Sequence, residues 1–148
     1  MLAGGRGGSI INVASTAGLG ACKDFPSAYV SSKAAVIALT RNLACSWADR
    51  GVRVNALAPG WFPSEMTADV FSMPAFMGWI KDSCPMHRTG DLQELVGPLL
   101  FLASGASSYV TGHTLVVDGG ESATTGGSQF PEEVYAALGP NMQPIRAS

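Results

Sequence analysis

Two β-branched runs enclose one long helix-forming segment, and that order leaves the chain few folds. In Ser9–Ala14 (SIINVA), Ile10, Ile11 and Val13 are nearly continuous, as suits a parallel strand covered on both faces. Ser27 to Arg50 contains neither Gly nor Pro and carries Ala34, Ala35, Ala38, Leu39 and Leu43 at helical spacing. Gly51 supplies the expected stop. Val52–Leu57 (VRVNAL) reads as a second short strand running into the sharp turn Ala58-Pro59-Gly60. Strand, helix and strand in this span make a βαβ unit, whose crossover is expected to be right-handed.

The flanking segments extend the same alternation. Residues 1–8 are glycine-rich, but a dinucleotide-binding loop follows a strand and opens a helix. Here the glycines precede a strand and no GxGxxG is present, so Gly4 to Gly8 is read as a turn. Residues 16–26, with Gly18, Gly20 and Pro26, form a loop. Residues 61–82 are rich in aromatics and methionine, including Met66, and Pro63 and Pro74 divide them into short helical pieces. Asp91 is expected to cap a helix reaching about Ala103, with Leu92, Leu95, Val96, Leu99, Leu100 and Leu102 as its apolar side. Thr114–Val117 is a third strand, ending at Asp118-Gly119-Gly120. From Glu121 on, the composition predicts a loose tail, with a turn of helix at Pro131–Leu138 as its one ordered piece. The β-α-β-α-β order argues an α/β layered fold with a parallel sheet. Three strands are few, and an open parallel edge with apolar side chains on both faces is unfavourable. The chain reads as part of a larger sheet.

Composition removes several function classes. At 148 residues the chain is one domain by size. Only 14% of residues are charged, which points to buried interfaces, and the net charge of −2 comes without a basic run. Nucleic-acid binding, which shows as clustered Lys and Arg, is not expected. No apolar stretch approaches the roughly 18–20 residues of a membrane helix, and MLAGGRGGS has no secretory apolar core. Cys22, Cys45 and Cys84 are an odd number without metal-type spacing. They read as reduced thiols of a cytoplasmic protein, with Cys45 packed as a small apolar side chain. His87 and His113 have no metal partners in spacing, so no metal is expected.

The chemistry gathers at the start of the long helix. Tyr29 and Lys33 stand at i and i+4 and share one face. A free tyrosine is a poor base at neutral pH, but a neighbouring ammonium favours its phenolate. A tyrosine so placed can give a proton to a carbonyl oxygen or take one from an alcohol. Ser15, beyond the carboxyl end of the first strand, can hydrogen-bond that same oxygen, where open α/β sheets bind their ligands. Ser15 is not a nucleophile elbow, because VASTA lacks the glycines of GxSxG. A serine hydrolase also lacks a placed histidine and acid.

INVAS-TAG, YVSSK, RVNALAPGWFPSEMT, HRTG-D and YVTGHTLVVDGG follow one another over roughly residues 7–120. In that order and spacing the chain resembles the short-chain dehydrogenase/reductase family. The resemblance implies the last three strands, with flanking helices, of a Rossmann-like doubly wound parallel sheet. It implies Ser15 as the substrate-orienting serine, with Thr16 the lesser candidate, and Tyr29 as general acid/base. It implies Lys33 as the group that lowers the tyrosine pKa and holds the nicotinamide ribose. Pro59 and Gly60 match the turn beside the nicotinamide. Phe62 matches the residue whose backbone meets the carboxamide, and Ser64 stands where the family carries a threonine. Asn55 and Asp118 match structural positions, and residues 61–82 match a variable substrate lid whose aromatics suggest an apolar or bulky pocket. The implied cofactor is NAD or NADP, the substrate a small alcohol or carbonyl compound, and the assembly a homo-oligomer.

The family's TGxxxGxG phosphate loop, its NNAG stretch and its later catalytic asparagine are absent from these residues. Two expectations therefore stand together: the C-terminal half of a hydride-transferring oxidoreductase, or an inactive half-domain serving in dimerisation. Residues 1–120 form the expected dehydrogenase portion and 121–148 the tail.

Overall fold

The structure, a computed structural model, describes residues 1–20, 25–65 and 67–124. Cys22, Met66 and the helical turn expected at 131–138 lie outside the described residues. The elements run β1 (Gly8–Val13), α1 (Ser27–Trp47), β2 (Val52–Pro59), α2 (Ala68–Phe71), α3 (Pro74–Ser83), α4 (Val96–Ala103) and β3 (Thr114–Val117). The three strands form one parallel sheet in the order β1-β2-β3. Gly8 pairs with Val52 and Val13 with Leu57, while Ala56 pairs with Thr114 and Pro59 with Val117. Pairing with β3 carries β2 two residues past Leu57, the end its sequence suggested.

Strand alternation sorts β2 between two faces. Val52, Val54, Ala56 and Ala58 are fully buried under α1, which contributes Ile37, Thr40 and Ala44 as its buried stripe. Thr40 is accommodated there because its hydroxyl donates to the Val36 carbonyl at 2.8 Å and accepts from the Asn12 side-chain amide at 2.9 Å. The alanines of the helix permit this close approach. Gly51, with φ of 70°, reverses the chain after a 3-10 turn at Ala48–Arg50, a left-handed conformation that glycine adopts without steric cost.

On the other face Arg53 reaches the carboxyl end of α4. Its guanidinium donates to the carbonyls of Leu102 and Ser104, both at 3.0 Å, and to the Ser107 hydroxyl at 2.8 Å. Those carbonyls have no partner within the helix. Asn55, fully buried, donates to the Val110 carbonyl at 2.9 Å and accepts from the His113 backbone N–H at 3.0 Å. Both polar ends of its side chain are thus engaged within the fold.

Three expectations are corrected. The segment after Asp91 is not one helix. Asp91 and Glu94 form a capping box over a 3-10 turn at Leu92–Leu95, and α4 begins only at Val96. Pro98 explains the break, because it has no N–H to give the Glu94 carbonyl and is tolerated only in a first helical turn. The apolar side of this segment is also largely uncovered. Leu102 is buried, but Leu92, Val96, Leu99 and Leu100 are exposed, because α4 rests on β1 and β2 and nothing among the described residues covers its outer side. Cys45 is exposed rather than packed, since it points away from the Ile37, Thr40 and Ala44 stripe. Among the described residues no helix is long and apolar enough to cross a membrane.

Candidate active site

The β1 chain leaves the sheet at Val13 and places Ser15 at the head of a 3-10 turn, Thr16–Gly18. Ser15 has an extended backbone, and its Oγ accepts from the Ala17 N–H at 3.2 Å. With its oxygen engaged, the hydroxyl keeps a hydrogen to donate. Gly18 presses this turn onto α1: a Cβ there would stand 2.6 Å from the Lys33 carbonyl carbon and 2.8 Å from the Ala34 nitrogen. Only a residue without a side chain permits that approach. Lys33 donates from Nζ to the Val13 carbonyl at 3.2 Å, and the same Nζ lies 5.7 Å from the centre of the Tyr29 ring. The end of β1, the Ser15 turn and the Tyr29–Lys33 face of α1 are thus assembled in one place.

The second group of expected residues sits at the carboxyl ends of β2 and β3. Pro59 closes β2, and the Gly60 N–H donates to the Val117 carbonyl at 2.9 Å. A Cβ at Gly60 would be 2.7 Å from that of Asp118, so this glycine is required by crowding. Asp118 caps the turn after β3, accepting from the Gly120 and Ser122 N–H groups at 2.9 and 2.7 Å. Phe62 is buried with its ring over Gly90, whose N–H donates to the Trp61 carbonyl at 2.9 Å. The Phe62 carbonyl accepts from the Thr67 hydroxyl at 2.9 Å, whereas its own N–H has no partner among the described residues. Ser64 and Thr67 bond reciprocally, Thr67 N–H to Ser64 Oγ at 3.2 Å and Ser64 N–H to Thr67 Oγ1 at 2.8 Å. No hydrogen bond joins Ser64 to Ser15, Tyr29 or Lys33 among the described residues.

Aromatic rings connect the two groups. Phe25 lies 5.7 Å from Tyr29 and 5.9 Å from Trp61, centre to centre. Trp61 in turn meets Phe76 at 4.9 Å and Trp79 at 5.8 Å, both on α3. Residues expected to line a bulky pocket therefore pack largely on one another. The Trp61 Nε1–H donates to Glu121 Oε1 at 3.0 Å. Glu121, which composition placed at the start of a loose tail, occupies a 3-10 turn at Glu121–Ala123. Burial pushes its carboxyl up, while the bond from Trp61 pulls the other way.

Below this region Arg88 grips Glu94 through both nitrogens, at 2.7 and 2.8 Å. That bond, with the Asp91 N–H, holds the Glu94 carboxyl down to about 2. His87 lies against the Lys81 carbonyl, and the described residues contain no cluster of three metal-ligating side chains. Sequence reasoning did not single out Phe25, Thr67 or Glu121, nor the crowding at Gly18. Thr67 alone had a local signal, a hydroxyl three residues after Ser64, the spacing of a side-chain-capped turn.

A family model described as enoyl-(acyl carrier protein) reductase matches residues 1–122. The chain is 50% identical over 114 residues to galactitol 2-dehydrogenase (L-tagatose-forming) of Cereibacter sphaeroides, covering 76% of this chain and 45% of that protein. It is 42% identical over 116 residues to 5-keto-D-gluconate 5-reductase of Escherichia coli K12, covering 78% and 45%. Among solved structures, a gluconate 5-dehydrogenase from Burkholderia cenocepacia J2315 in complex with NADP and tartrate superposes with a TM-score of 0.79 at 38% identity, covering 84% of this chain and 48% of that one. The chain spans about half the length of the curated relatives it matches. With a parallel α/β sheet, the Tyr29–Lys33 face beside Ser15 and a family match over nearly all described residues, the chain belongs to the short-chain dehydrogenase/reductase family.

Proposed function

We propose that these residues form the proton-transfer end of an NAD(P)-dependent oxidoreductase that interconverts a secondary alcohol and a ketone. The observation that carries the reading is the joint placement of Lys33 Nζ against the Tyr29 ring and the Val13 carbonyl, with the Ser15 turn pressed onto the same helix through Gly18. In the reducing direction Tyr29 gives its phenolic proton to the substrate oxygen, and in the oxidising direction it takes the proton back. Ser15 donates its free hydroxyl hydrogen to that oxygen and so fixes its position. The residues present fit the nicotinamide end of the cofactor. Lys33 offers donors to ribose hydroxyls, and the Phe62 N–H, without a partner among the described residues, and the Ser64 hydroxyl offer donors and an acceptor to a carboxamide. When bound, the nicotinamide supplies or accepts the hydride.

The relatives named above bear on substrate class, since their names specify galactitol and 5-keto-D-gluconate. Polyols and keto sugar acids are accordingly the substrates to test first. Homo-oligomeric assembly belongs to the same proposal, supported by the exposed Leu39 on α1 and Leu99 and Leu100 on α4. A cytoplasmic setting is supported by free thiols at Cys45 and Cys84.

The deciding experiment compares turnover of galactitol and 5-keto-D-gluconate, with NAD(H) and NADP(H), between the protein and its Tyr29→Phe variant. Loss of the phenolic proton is expected to lower kcat by about 10²-fold or more, with cofactor affinity and circular dichroism unchanged. Unaltered turnover in Tyr29→Phe would exclude the acid/base role.

A further inference from the structure

We infer that Glu121 is a positioning residue: through its bond to Trp61 it latches the lid helix α3 onto the Tyr29 end of the sheet. The two residues are 60 positions apart and belong to the turns that follow β2 and β3. Their bond therefore ties together two strand ends that the sheet itself does not join beyond Pro59 and Val117. An indole has one polar atom and two side-chain torsions, so fixing Nε1 fixes which edges the ring turns to its neighbours. Those neighbours are Phe76 and Trp79 on α3 and Phe25 beside Tyr29. The other end of α3 is held independently, by fully buried Ile80 and by Cys84 against the Asp118 and Gly119 carbonyls. Trp61 thus bears on α3 through Phe76 near its amino end and Trp79 near its middle.

A lid held in place shapes the substrate site without moving the proton itself. Its loosening is read in KM before kcat. This kinetic consequence rests on the reaction proposed above, whereas the latch itself is a contact observable without turnover. The test uses two readouts. In a ¹⁵N-labelled sample the Trp61 indole N–H resonance is identified by its loss in Trp61→Phe. Glu121→Ala is expected to shift that resonance, and Glu121→Gln, whose amide oxygen accepts the same bond, to leave it near its original position. In turnover, Glu121→Ala is expected to raise KM about tenfold with kcat within about twofold, and Glu121→Gln to restore most of the loss. An indole resonance unmoved in Glu121→Ala overturns the latch, as does a fall in kcat at constant KM. A protein lacking turnover in every form, with the resonance shifting as expected, overturns the proposed reaction and upholds the latch.

Discussion

Under α1, the residues Val52, Val54, Ala56 and Ala58 are 0% exposed, while on the opposite face Val13 is 58% exposed and α4 turns Leu100 to solvent at 61%. Both faces carry apolar side chains, although the second also holds Ser9, Arg53 and Asn55, and the difference is more than one of composition. It arises because α1 runs the length of β2 and lays a three-residue stripe along it, whereas α4 is short and touches the sheet mainly through Leu102 and polar anchors. One face is held by packing and the other by the hydrogen bonds of Arg53, Ser9 and Asn55. The comparison separates two things that apolar periodicity merges, the side of a helix that can be buried and the side that is.

The sharpest way to break this contrast is at the packed face. Ile37→Ala removes a side chain from the closed cluster with Ala14, Ala56 and Ala58. It is expected to cost about 2–5 kcal/mol, measured by denaturant unfolding. A loss below about 1 kcal/mol would mean that this face is not where stability is concentrated. On the polar-anchored face Arg53→Met keeps the length of the side chain and removes every bond to the α4 terminus. The Ser9 and Ser107 hydroxyls still reach those carbonyls, so the expected cost of about 1–3 kcal/mol is that of the lost charged hydrogen bonds. An unchanged unfolding midpoint would show that α4 needs no such anchor.

A weaker electrostatic effect lies at the corner before α4. The Glu94 carboxyl is held down to about 2 in the fold, against 4.5 ordinarily, by the bond from Arg88 and then by the Asp91 N–H. A depressed acid stabilises the fold above its ordinary pKa and loses that contribution as pH falls toward the folded value. The decline therefore falls between about pH 4.5 and 2. Because the pair is open to solvent, added salt is expected to weaken it. Stability measured against pH in Glu94→Gln should be flatter over that interval, and an identical profile would remove Glu94 from the account. The smallest effect is expected from Leu100→Ser, within about 0.5 kcal/mol. A larger loss in unfolding experiments would show the outer side of α4 to be covered in solution.

What was legible from sequence is what repeats locally. The strand-helix-strand order, the Gly51 stop and the shared face of Tyr29 and Lys33 all follow from spacing within a few turns, and the structure has them. The Asp91 cap is likewise readable, whereas apolar spacing alone runs the helix on from it and only Pro98 marks the later start at Val96. Cys45 could not be oriented in an alanine-rich helix whose apolar positions surround the axis. Glu121 was hidden for a different reason: nothing in the local sequence marks a carboxylate whose partner is 60 residues away. Gly18 looked like an ordinary loop glycine, and only the proximity of the Lys33 backbone gives it a reason.

The anchorage of α1 has a mechanical consequence. Its buried stripe runs from Ile37 to Ala44, whereas Tyr29 stands in the first turn. At about 1.5 Å per residue the tyrosine is carried on an arm about 12–22 Å long. A tilt of only about 3° at the far end would swing the phenol by about 1 Å, an error that a positioned proton transfer registers as about 10²-fold in rate. The Lys33 bond to Val13 and the Gly18 contact act as a near-end stop on that arm. In the reaction proposed above, aim at the substrate oxygen would thus be set as much by a glycine in a loop as by the tyrosine it steadies.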